Sequence, residues 1–147
     1  MDKEGYILAQ PSPYLFTFVS KGRMGQLTKA VVFQEISEKL FNLVLLDRDE
    51  ENKTWSDNTT SNNGDMPKVM ATVSQIIMLF LESQPDAKIY IEANSKSRNS
   101  LYHRILRNYQ SEFELELVIE ASSDGVIEKF ERGKQYDYFY ICKKNAR

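Results

Sequence analysis

Residues 93–111 hold Lys96, Arg98, Arg104, Arg107 and His103 but no Asp or Glu, within a 147-residue chain whose formal net charge is −2. A local excess of guanidinium groups is the chemistry of anion recognition, because the planar fork matches carboxylate and phosphate oxygens. Asn94-Ser95-Lys96-Ser97-Arg98-Asn99-Ser100 also puts hydroxyls at the opening of a predicted helix. A helix start carries about +0.5 of an elementary charge and unpaired N–H donors, which favour an anion. Ser95 or Ser97 with Arg98 suits a phosphate or carboxylate, and Arg104 and Arg107 extend the basic face. On a helical wheel, however, Arg98 falls at the angle of Leu101, Tyr102 and Ile105 and leaves toward the protein side. A buried guanidinium needs a partner, so a structural pairing with Asp65 or Glu92 stands beside the anion-site reading. His103 shares the outer face with Ser100, Arg104 and Arg107 and reads as a surface residue.

The remaining residue types exclude several chemistries. Cys142 is the only cysteine and His103 the only histidine, so an internal disulfide and a Cys-based metal cluster are excluded. A zinc site would need carboxylates for most of its ligands, and no metal or cofactor is expected. There is no Gly-x-Ser-x-Gly, His-Glu-x-x-His, P-loop or Gly-rich dinucleotide turn. The N-terminal residues lack the basic stretch and apolar run of a secretory leader, and the apolar helix around 69–81 carries Thr72, Ser74 and Gln75. No membrane span and a reducing cytoplasmic setting are therefore expected.

The elements that position these residues follow from hydrophobic period. Residues 14–19 alternate Tyr14, Phe16, Phe18 against Leu15, Thr17, Val19, which predicts a strand. Further strands are predicted at 27–36, at 41–47 (apolar enough to be covered on both faces), and around Trp55. Asp65 as a side-chain N-cap, Pro67 in the first turn, and Val69, Val73, Ile76, Ile77 and Phe80 at helical spacing predict a helix closed by Pro85. A strand at 88–93, a helix at 97–113 and strands at 114–121 and 136–142 complete the chain. The order ββββ-α-β-α-ββ predicts one α+β domain over 1–147, a mainly antiparallel sheet with two helices packed on it. Tyr136, Tyr138 and Tyr140 on one face of the last strand, or Tyr14, Phe16 and Phe18 on the first, could stack bases, though one of the two faces must be core.

Two spaced motifs, Ser61-Asn62-Asn63-Gly64-Asp65 followed by Lys68-Val69-Met70-Ala71-Thr72-Val73, and Ser95-x-x-Arg98-x-x-Leu101-Tyr102, resemble a family of small bacterial proteins of unknown function. The resemblance covers roughly residues 61–105 and marks Asn63, Gly64, Asp65 and Lys68 as a shared structural motif. Ala93-Asn94-Ser95 stands where that family has Gly-Ser-Thr, and Ser100 replaces a second arginine. The resemblance implies a bacterial, cytosolic, one-domain protein and brings no activity with it. The residues themselves favour a non-catalytic module that binds an anionic ligand, with single-stranded nucleic acid as one form of it. The alternatives are a module that binds a protein partner or itself, and a small enzyme acting on a phosphorylated substrate.

Overall fold

The computed structural model describes residues 5–57, 63–92 and 95–144. Among these described residues nine strands and two helices run in the order β1 Ala9–Ser12, β2 Leu15–Gly22, β3 Gly25–Ser37, β4 Leu40–Asp49, β5 Thr54–Ser56, α1 Met66–Ser83, β6 Lys88–Glu92, α2 Lys96–Phe113, β7 Leu117–Ser123, β8 Val126–Lys129 and β9 Tyr138–Lys143. All strands join one sheet ordered β1-β2-β3-β4-β6-β9-β7-β8, with β5 pairing β4. Every pairing is antiparallel except β4 with β6, which α1 connects as a crossover. The mainly antiparallel α+β reading is thus correct, with the predicted order of strands and helices.

Strand alternation divides the two faces. Phe16 and Phe18, Val31 and Phe33, Phe41, Leu43 and Leu45, Ile89 and Ile91, and Phe139 and Ile141 point to one side and are buried. Both helices cover that side. In α1 every residue of the predicted stripe, Val69, Val73, Ile76, Ile77 and Phe80, is buried. Phe80 stacks on Phe33 at 3.9 Å between ring centroids and meets Phe41 edge-on at 5.1 Å. Each such side chain is worth about 1.5–3 kcal/mol when removed from water, so the stripe anchors the helix.

Three local expectations need correction. β4 is not covered on both faces: Phe41, Leu43 and Leu45 are buried while Val44 and Leu46 are half-exposed, because the helices lie on one side only. Residues 114–116 form a turn, leaving Leu115 76% exposed rather than in a strand, so β7 begins at Leu117. Tyr136 precedes β9 and is buried, so it does not share a face with Tyr138 and Tyr140. β1 and β8 are additional. β1 holds Pro11 and ends before Pro13, which suits an edge strand. β8 follows the two-residue turn Asp124-Gly125, where φ is +53° and +81° as a tight hairpin requires.

Candidate functional site

The start of α2 is set by Ser95, whose extended backbone and side-chain oxygen, accepting the Arg98 N–H at 3.1 Å, form an N-cap. From there the helix sends two kinds of basic side chain in opposite directions.

Arg98 goes inward and is 1% exposed. Its Nη2 lies 3.3 Å from Asp47 Oδ2, and its Nε–H donates to the Asp57 carbonyl at 3.2 Å. Asp47 also receives Lys29 Nζ at 2.7 Å across the β3–β4 pairing. The partner is therefore Asp47, not Asp65 or Glu92. Asp47 is in phase with Phe41, Leu43 and Leu45, as Lys29 is with Val31 and Phe33. Charged residues at the core phase of two neighbouring strands were a sequence signal for this buried cluster. Tyr102, packed beside it, has its phenol pushed up to about 12, chiefly by burial and against the lowering effect of Arg98.

Lys96, Arg104 and Arg107 go outward into a groove of about 960 Å³. One wall is the outer face of α2, with Ser95, Ser97 and Ser100; the other is Ser123, Gln135, Tyr136 and Asp137. Asp137 is the one carboxylate among these lining residues, against three cations. Its Oδ2 is engaged by the Asp124 N–H at 3.1 Å. Lys96, Ser97, Ser100 and Arg107 are exposed and Arg104 is half-buried, so the groove's polar groups are open to solvent.

His103 holds the two walls together and is only 8% exposed, contrary to its expected place on the surface. The Tyr136 N–H donates to Nε2 at 3.0 Å, which leaves the proton on Nδ1, 2.9 Å from the Asn99 carbonyl. Asn99 Nδ2 donates to the Tyr136 carbonyl at 3.2 Å, completing a two-point clamp on one residue of the facing wall. With both ring nitrogens spent on backbone groups, His103 has no lone pair free to act as a general base in this arrangement. The Tyr136 hydroxyl donates to Glu128 Oε2 at 2.7 Å. That bond and then Lys134 hold the Glu128 carboxyl below its ordinary value, while burial and Glu128 push the Tyr136 phenol up.

The motif residues Asn63, Gly64 and Asp65 join the β2–β3 hairpin to the start of α1. Asn63 Oδ1 accepts the Met24 N–H at 2.6 Å, and its Nδ2 donates to Ser20 Oγ and the Gly25 carbonyl. Asp65 occupies the N-cap position but makes no side-chain cap. Its carboxylate instead accepts the hydroxyls of Tyr6 and Ser20, which pull it away from the helix N–H groups. Lys68 places its ammonium 4.6 Å over the Tyr6 ring. None of these four residues lines the groove. Ser61, Asn62, Ala93 and Asn94 lie outside the described residues.

The aromatic surface is on the far side of the sheet. Phe139 faces His103 of α2 at 4.9 Å, so Tyr138 and Tyr140, in the opposite phase of β9, point away from both helices. Tyr90 of β6 joins them, with centroids 5.4 Å from each. Tyr14, Phe16 and Phe18 are the core-side aromatics. The basic helix and these half-buried tyrosines therefore do not form one surface. Among the described residues no helix is long and apolar enough to cross a membrane, and no three His, Cys, Asp or Glu gather as metal ligands.

The chain belongs to a family of unknown function, DUF6934, whose model matches residues 2–144. Comparisons with curated proteins and with solved structures give no match.

Proposed function

From a family without an assigned activity only the site can speak, and we propose that this protein is a non-catalytic module that binds a phosphate- or carboxylate-bearing ligand in the groove beside α2. One observation carries the reading: Lys96, Arg104 and Arg107 converge with Ser95, Ser97 and Ser100 on a groove that holds a single carboxylate, in a chain of net charge −2. Arg98 belongs to the scaffold of this site rather than to its binding face, since its guanidinium is committed to Asp47 and Asp57. The groove's volume of about 960 Å³ is near the upper end of small-molecule sites, roughly 300–1,000 Å³. A discrete anionic ligand therefore suits it better than a long single strand, which would need stacking aromatics alongside the cations.

The test is a titration at low salt with pyrophosphate and, separately, with a fluorescent single-stranded oligonucleotide, followed over a salt series. Binding that weakens as salt rises is expected, and Arg104→Glu with Arg107→Glu should abolish it while far-UV circular dichroism stays unchanged. Pyrophosphate competing with the oligonucleotide would identify the phosphate group as what is recognised. If neither probe binds at low salt, the reading fails.

A further inference from the structure

Among the described residues, none of Lys96, Arg104 and Arg107 has a carboxylate within ion-pairing distance. The groove beside α2 therefore keeps opposite charges apart, three cations on the helix wall and the Asp137 carboxylate on the facing wall. The Asp124 N–H engages Oδ2 of Asp137, and the second oxygen of that exposed carboxylate can accept a donor from a ligand. Ser97, Ser100, Arg104 and Arg107 recur at spacings of three and four residues and form one stripe along α2. The bonds of His103 and Asn99 to Tyr136 hold the neighbouring Asp137 across from the turn that carries Ser100. Arg107 lies seven residues, about 10 Å, further along the axis. One end of the groove thus carries two guanidinium groups. The other carries hydroxyls, a carboxylate and Lys96.

We infer that the ligand of this groove is a phosphate ester of a sugar or another polyol, which deepens the anion-site reading and rests on it. The phosphate takes the Arg104 and Arg107 guanidinium groups, whose planar forks match its oxygens. The hydroxyls donate to Asp137 and exchange hydrogen bonds with Ser97 and Ser100. Two other ligand chemistries fit less well. Three cations against one carboxylate leave the lining with an excess of two positive charges, which repels an ammonium but not a neutral hydroxyl. An aminophosphate is therefore disfavoured. A nucleobase would need a ring to stack on, and the aromatic groups of the groove, Tyr136 and His103, are only 3% and 8% exposed. Asp137 is then the residue that separates a polyol ester from bare phosphate. Its charge gains from hydroxyl donors and repels a second phosphate group.

Calorimetric titration of the full chain at low salt tests the assignment, with pyrophosphate, ribose 5-phosphate, phosphoethanolamine and adenosine monophosphate in turn. Ribose 5-phosphate should bind about tenfold more tightly than phosphoethanolamine, the difference that one hydrogen bond to a charged group supplies. Adenosine monophosphate should match ribose 5-phosphate within a few-fold, since the base adds nothing. Asp137→Asn keeps an oxygen for the Asp124 N–H while removing the charge. That variant should lose about tenfold toward ribose 5-phosphate and bind pyrophosphate more tightly. If pyrophosphate binds but ribose 5-phosphate binds no better than phosphoethanolamine, the polyol assignment falls while the anion site stands. Adenosine monophosphate binding far more tightly than ribose 5-phosphate also overturns it, because a base would then be recognised. So does an Asp137→Asn protein that weakens toward ribose 5-phosphate and pyrophosphate alike. If pyrophosphate does not bind the unaltered chain, both readings fall together; the wild-type comparisons need no variant to fold.

Discussion

At the scale of single residues, Arg98 and its neighbours Arg104 and Arg107 show how one helix serves two purposes. Arg98 is 1% exposed against Asp47, and removing one partner of a buried ion pair costs about 3–5 kcal/mol. Arg98→Ala is expected to lose stability of that order in urea denaturation. Arg98→Met, which keeps the volume while Asp47 retains Lys29, should lose less and still bind pyrophosphate. Loss of binding by a folded Arg98→Met protein would instead place the guanidinium in the recognition chemistry. Gly22 is the second sensitive point, since a Cβ there would lie 1.9 Å from the Asn63 carbonyl oxygen. Gly22→Ala must displace backbone on one side or the other, and a loss of about 1–3 kcal/mol is expected from such overpacking. The wheel correctly turned Arg98 inward; the core phase of Asp47 marked it as buried, but not that it meets Arg98, because that contact joins residues 51 positions apart.

At the scale of elements, the segment preceding β9 is held to α2 by His103 and Asn99 and braced at its base by the Tyr136–Glu128 bond. Glu128 has a folded value depressed below 4.5, first by Tyr136 and then by Lys134. Its contribution is therefore fully present above the ordinary carboxylate value and is lost as pH falls through the lower folded value. Acidification below about 4.5 should loosen Tyr136, read as a change in near-UV circular dichroism, and Glu128→Gln, which has no proton to gain, should abolish that change. An identical profile in the variant would show that another carboxylate governs the segment. His103→Ala removes the clamp from the other wall, and faster amide exchange at Tyr136 is the expected result. The clamp was invisible in the sequence: a lone histidine between Tyr102 and Arg104 reads as outer face by its wheel angle. Only the return of residues 135–137 over that face buries it.

At the scale of the whole molecule, the sheet separates two candidate binding surfaces, the basic groove on the helix side and the tyrosines on the other. A ligand in the groove whose binding weakens with salt is the corresponding expectation. Period-2 alternation and the α1 stripe determined the element types, the α+β class and most of the core, because those patterns are local and each strand or helix must bury its own apolar face. β8 was missed although the Asp124-Gly125 turn is a local hairpin signal, and the prolines around β1 masked a strand that edge pairing stabilises. Which charged residues meet, which face stays uncovered and which wall closes over His103 depended on strand order. That order is decided by contacts between distant residues, where burial of an unpaired charge is costly enough to select one arrangement.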